Sequence, residues 1–177
     1  MATSILLPLD GSPFSRQAFR AVSRLFDPET STVTLLHVAS PPEGVGERPM
    51  RPLISEAWPA TLHGSEFRDH PIYATQVWDS TKASIIEAMD DDVRSLSDAG
   101  FNVRLEVRFG EPAQEIADLV EEGDIDAVVM VTHGRSGVSR AVMGSVAERV
   151  LRMVRVPVVM VRGREEATRP GPLTPFA

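Results

Sequence analysis

Cysteine is absent from the chain. That absence excludes disulfides, thiolate catalysis and Cys-ligated zinc. Lysine is nearly absent too: Lys82 is the only one, and the other basic residues are arginines. This is a compositional bias and marks no site. Positive charge is in deficit overall, with a formal net charge of −7, which argues against a general nucleic-acid binder. No apolar run reaches the length of a membrane span. The start of the chain, Met1-Ala2-Thr3-Ser4-Ile5, lacks the basic region and cleavage site of a signal peptide. A cytoplasmic protein is therefore expected. Several catalytic motifs are missing as well. There is no G-x-x-x-x-G-K-[ST] of a P-loop NTPase and no G-x-G-x-x-G after the first strand. Nor is there a G-x-S-x-G nucleophile elbow.

What remains is an ordinary globular composition. The 177 residues are 42% hydrophobic and 24% charged, enough for one domain with a real core. The most informative stretch runs from Asp126 to Arg162. Ile125 to Val131 reads as a buried strand. It passes through Thr132-His133 into a loop carrying Gly134, Gly137 and Gly144. Ser145-Val146-Ala147-Glu148 then has the capping-box pattern of a helix start, and Val146, Val150, Met153 and Val154 recur at helical spacing. A second apolar strand, Val156 to Val161, follows. Strand, glycine loop and helix together bring backbone N–H groups and the positive end of a helix to one place. An anion such as a phosphate is favoured there.

The rest of the chain alternates in the same way. Ser4 to Leu9 is a short apolar strand ended by Asp10-Gly11-Ser12-Pro13. Ser12 is a plausible N-cap, with Pro13 at the first helical position. Phe14, Ala18, Ala21, Val22 and Leu25 mark one helical face. Thr32 to Val38 is a second strand, rich in β-branched residues. Asp79 to Ala99 reads as one helix, with Ile85, Met89, Val93 and Leu96 inward and Asp90-Asp91-Asp92 as a solvated face. Phe101 to Arg108 alternates as a half-buried strand near a sheet edge. Gly110-Glu111-Pro112 opens a further helix with Ala113, Ile116, Ala117 and Val120 inward. Five strands alternating with four helices, without a hairpin signal, predict a parallel α/β sheet.

Two regions stand outside this alternation. Residues 40–78 hold many prolines and glycines and no sustained period, and read as a long loop or insertion. Trp58, Phe67, Tyr73 and Trp78 are its candidates for anchorage. His63, Glu66, Asp69 and His70 match no standard metal spacing and read as solvated polar residues. Residues 164–177 are expected to form a flexible tail. The first domain boundary is therefore placed at 163.

The string His133-Gly134, nine residues, Gly144-Ser145, then Val-Ala-Glu-Arg-Val-Leu and Pro-Val-Val-Met-Val, resembles the universal stress protein family. So do Leu9-Asp10-Gly11-Ser12 and Gly110-Glu111-Pro112-Ala113. Members of that family that bind ATP carry G-x2-G-x9-G-[ST]. Here Gly134, Gly144 and Ser145 fit, and the first glycine is replaced by Val131. The resemblance covers residues 4–38 and 79–162.

The resemblance implies an open, doubly wound five-stranded parallel sheet of order 3-2-1-4-5, with helices on both faces. It also implies an adenine nucleotide, ATP with or without Mg2+, held between the ends of strands 1 and 4. The implied ligand-binding residues are Leu9, Asp10, Val38, Met130, Val131, His133, Gly134, Arg135, Gly137, Gly144, Ser145 and Val146. Asp10 would meet the adenosine part, and Val38 would lie by the adenine. No catalytic residue and no metal ligand are assigned. An Asp10, His133 and Ser145 triad has the right residue types, but nothing in their spacing requires it. The expected role is regulatory nucleotide binding in a stress response. The alternatives are a nucleotide-free interaction module of the same family and a slow ATPase. A homodimer through the Val156–Val161 edge is expected, because Pro157 suits an edge strand and an apolar edge needs cover.

Overall fold

A computed structural model describes residues 2–42, 71–132 and 144–163. Five strands form one parallel sheet: β1 (Thr3–Leu9), β2 (Ser31–Ala39), β3 (Asn102–Phe109), β4 (Ala127–Thr132) and β5 (Val158–Arg162). Their order is β3-β2-β1-β4-β5, as expected. The helices among the described residues are α1 (Ala18–Leu25), α2 (Pro71–Ala88), α3 (Asp90–Asp98), α4 (Pro112–Glu121) and α5 (Ser145–Met153). None is long and apolar enough to cross a membrane.

The central strands β1 and β4 are apolar on both faces, which is why their sequences run, while the outer strand β3 alternates. On one face Ile5, Leu7, Val33, Leu35 and Val129 pack with Ala18 and Val22 of α1, Met89 and Leu96. On the other, Leu6, Leu36, Val128 and Met130 pack with Ala113 and Ile116 of α4 and Ala147 and Val150 of α5. Neighbours such as Leu35 and Leu36 therefore serve opposite layers, as the period of a strand demands. Each fully buried Leu or Ile in these layers contributes on the order of 1.5–3 kcal/mol.

Local boundaries differ from the sequence reading in several places. The stretch read as one helix over Asp79 to Ala99 is two, and the first begins at Pro71. Residues 71–78 of the expected insertion are thus helical. Trp78 is buried and meets Phe109 edge-to-face, with ring centroids 4.7 Å apart. Met89 breaks the helix with φ −100° and ψ 3°. The acidic run is not a uniform solvated face: Asp92 is buried and Asp90 pairs with Arg94. Leu25, expected on the inward face, is 59% exposed. It is the last residue of α1 and lines an open groove with Val161 and Arg162 of β5. Ser12 does accept a hydrogen bond from Ser15 N at 3.1 Å, but α1 starts only at Ala18, after a 3-10 turn at Ser15–Gln17. Pro157 precedes β5, and its carbonyl accepts from Val128 N at 2.9 Å. Trp58, Phe67 and the His63–His70 group lie outside the described residues.

Candidate functional site

The strands β1 and β4 are paired only at Ile5 with Ala127 and Leu6 with Val128. Beyond that point β1 carries Pro8, which has no N–H to give to a ladder. The carboxyl ends of the two strands flank a crevice at the position where strand order reverses. In open α/β sheets that is where ligands bind.

A cavity of about 500 Å³ occupies this crevice, within the ordinary range for small-molecule sites. β1 contributes Pro8 and Leu9, and Asp10 follows at its end. β2 contributes Leu36 and Val38, and β4 contributes Met130 and Val131. Gly144, Ser145, Val146 and Ala147 close one side. Of the residues predicted from sequence, Leu9, Asp10, Val38, Met130, Val131, Gly144, Ser145 and Val146 are brought together here. His133, Gly134, Arg135 and Gly137 lie outside the described residues. The lining also includes Phe14, Ser15, Pro112 and Ile116, which sequence reasoning did not assign to a site. Ile116 is on the inward face of α4, and Pro112 opens that helix after β3. Their place at the crevice follows once the strand order is known.

Three polar features stand on a largely apolar lining. Asp10 heads a tight turn: its Oδ1 accepts from Ser12 N at 2.9 Å and from Ser12 Oγ at 2.6 Å. Ser15 is buried, and its hydroxyl donates to the Ser12 carbonyl at 3.0 Å. Outside the lining, His37 Nδ1 lies 3.0 Å from the Leu9 carbonyl. A carbonyl only accepts, so this bond places the ring proton on Nδ1.

The third feature is the start of α5. The expected capping box does not form. Gly144 is the N-cap, with φ −62° and ψ 147°, and no side chain caps the helix. Ser145 is the first helical residue, and Glu148 turns outward to pair with Arg152 at 2.6 Å. The first helical bond runs from Glu148 N to Gly144 O at 2.9 Å. The N–H groups of Ser145, Val146 and Ala147 thus have no acceptor within the helix. All three residues line the cavity. Such a helix start suits an anion.

The model of the universal stress protein family matches residues 1–162. The chain belongs to the universal stress protein family. It is 29% identical over 161 residues to the universal stress protein MJ0531 of Methanocaldococcus jannaschii, covering 89% of this chain and 81% of that one. The universal stress protein MJ0577 of the same organism is 26% identical, over 92% of this chain and 96% of the relative. Solved structures share the fold. That of MJ0577 superposes with a TM-score of 0.65 at 24% identity, covering 94% and 99% of the two chains. An Arabidopsis thaliana family member with AMP bound gives 0.59 at 15% identity, over 92% and 93%. A universal stress protein from Archaeoglobus fulgidus in complex with dAMP gives 0.52 at 16% identity, over 91% and 98%.

Proposed function

We propose that this universal stress protein binds an adenine nucleotide, ATP in particular, in the crevice between β1 and β4. In this role it is a ligand-sensing regulatory module and not a rapid catalyst. The observation that carries the reading is the meeting of an apolar cavity with the uncapped start of α5. The apolar lining at Val38, Leu36 and Met130 suits a purine ring. Asp10, at the end of β1, suits the ribose hydroxyls of the adenosine part. The N–H groups at Ser145 and Val146 suit a phosphate. Family members seen with AMP and dAMP support the class of ligand. Any Mg2+ would arrive on the phosphates, since no cluster of acids or histidines among the described residues suits a metal ion.

The test is thermal melting of ligand-free protein with MgATP. Ligand at about a hundred times its dissociation constant should stabilise by roughly 2.7 kcal/mol. Gly144→Val should remove the shift, because a β-branched side chain would stand where the phosphate approaches backbone. No shift at millimolar ATP in the parent protein would sink the reading. Mass spectrometry of freshly purified, denatured protein gives an independent check through co-purified nucleotide.

One observation favours a second reading. Val131 lines the cavity at the place of the family pattern's first glycine. A nucleotide-free interaction module would follow if that side chain closed the site.

A further inference from the structure

Arg16 does not line the cavity, yet it is bound to the turn that does. Its guanidinium grips Asp92 as a fork, Nε to Oδ1 at 2.6 Å and Nη2 to Oδ2 at 3.0 Å. Its remaining nitrogen, Nη1, donates to the Gly11 carbonyl at 3.0 Å. Asp92 stands in the first turn of α3, with its side chain only 5% exposed. The hydrogen bond to Asp92 raises the Arg16 pKa further above its ordinary value, so the cation is permanent. A planar guanidinium can span two acceptors in fixed directions, and an ammonium cannot. The two residues are distant in sequence: Arg16 adjoins Ser15 of the cavity wall, while α3, which carries Asp92, lines none of it.

We propose that Arg16 and Asp92 are positioning residues that hold the Asp10 turn against the nucleotide pocket. The chain of contacts is continuous. Asp92 fixes Arg16, Arg16 fixes the Gly11 carbonyl, and Gly11 stands in the left-handed region at φ +78°. The neighbouring Asp10 then receives Ser12, and Ser12 receives Ser15 N. Asp10 and Ser15 face the cavity at the end of this chain. With the fork gone, the Gly11 carbonyl loses its partner and the turn is free to swing from the pocket. Asp92 shares the inward face of its helix with Met89 and Leu96, which is what brings it to this contact. The proposal rests on the nucleotide-binding reading for its ligand, while its structural half is read without ligand.

Deleting Arg16 alone would strand a buried carboxylate and endanger the fold. The test therefore uses Arg16→Lys, which keeps the charge but not the fork, and the double variant Arg16→Met/Asp92→Leu, which leaves no buried charge. Two readouts are taken: amide exchange at Ser12 and Ser15 without ligand, and calorimetric titration with ATP. In both variants protection at these amides should fall, and ATP should bind more weakly, by roughly five- to tenfold, the worth of one lost hydrogen bond. Cooperative denaturant unfolding should persist. Arg94→Gln, which breaks the exposed pair with Asp90 on the same helix, should leave both readouts at the parental values. Parental protection in either variant overturns the proposal. So does parental ATP affinity in variants whose turn has loosened. A parent protein that binds no ATP overturns the functional reading instead, and amide protection alone then decides whether the fork positions the turn.

Discussion

Ser4 and Asp126 grip each other twice at the end of the β1–β4 pair opposite the crevice. Asp126 Oδ2 accepts from Ser4 N at 2.8 Å, and Asp126 N donates to the Ser4 carbonyl at 2.8 Å. The contact lies one step below the short β1–β4 ladder, which has pairs only at Ile5–Ala127 and Leu6–Val128. The two central strands are therefore clamped at one end and separated at the other. Asp126→Ala removes the side-chain half of the clamp, leaving Ser4 N to find another acceptor. The site is exposed, so the loss should be modest, about 1 kcal/mol. Asp126→Asn, which keeps an amide oxygen as acceptor, should recover most of it. Denaturant unfolding of the three proteins measures both effects. Equal midpoints would mean that the ladder alone sets the spacing of β1 and β4.

Gly163 follows β5 and is buried beneath the ring of Phe14. A Cβ built there would stand 2.2 Å from Phe14 Cζ and 2.6 Å from Cε1 and Cε2. Atoms do not approach so closely, so Gly163→Ala must displace the ring, and Phe14 is part of the pocket wall. Overpacking of this kind costs typically 1–3 kcal/mol. The melting temperature should fall accordingly. Combining it with Phe14→Leu, which withdraws the clashing atoms, should restore part of the loss. A second loss that simply adds to the first would show that ring and glycine act separately.

Burial and charge give one pH expectation. Arg108 is held by Glu122, Glu106 and Glu115 on the outer strand β3. Its hydrogen bond holds the Glu122 carboxyl below the ordinary value, while burial pushes Glu115 above it. A lowered folded pKa gives stability that is present above the unfolded value and lost as pH falls through the folded one. A raised carboxyl pKa has the opposite sign, disfavouring the folded state once the group ionises. Glu115→Gln should therefore stabilise at neutral pH relative to mildly acidic pH, and Glu122→Gln should do the reverse. Stability curves from pH 3 to pH 7, spanning ordinary carboxyl values, check the two slopes. Parallel curves for both variants and the parent would refute the assignment.

The layers were legible because apolar runs and their breaks are local signals. Val128 and Val129 announce a strand buried on both sides, whatever surrounds them. The helix start at Gly144–Ser145 was legible from its own residues, but its meeting with Asp10 in one crevice was legible only through the family resemblance, which supplied the strand order. Asp92 was misread for a physical reason. Its spacing from Met89 and Leu96 is that of an inward face, but a carboxylate is not expected inside without a partner. The partner, Arg16, is far away in sequence, so only the fold brings it near. The capping box failed because Gly144 itself can serve as the N-cap, and Glu148 finds Arg152 one turn on. Leu25 has the inward spacing, but periodicity does not say how far along a helix that face stays covered.

The edge strand β5 leads to a prediction about assembly. It pairs with β4 on one side only, and Val158 to Val161 remain half-buried rather than covered. An uncovered apolar edge invites pairing with another copy. A two-fold dimer through this edge is our proposal. Val159→Lys places a charge in the middle of it, which should shift sedimentation at tens of micromolar toward the monomer, by the kind of edge charge that natural sheets use to prevent pairing. A parent protein that sediments as a monomer under the same conditions would remove the basis for the interface.

Val131 decides between the two functional readings. It stands at the end of β4, half-buried, in register with Val161 of β5, and its side chain lines the crevice. By strand alternation it belongs to the layer of α1, packed beside Val129 and Leu9, while Met130 belongs to the layer of α4 and α5. The side chain therefore narrows the pocket from the α1 side without covering the helix start that suits the phosphate. On that geometry the nucleotide of our proposal would be crowded but not excluded. Val131→Gly should tighten ATP by about tenfold, equivalent to roughly 1.4 kcal/mol. The same change should lower stability, because glycine weakens a strand and a packed valine is lost. Calorimetric titration with ATP and denaturant unfolding separate the two effects. Equal ATP affinities in the two proteins would mean that the valine does not meet the ligand. Binding seen only in Val131→Gly would establish that the natural chain is the nucleotide-free form.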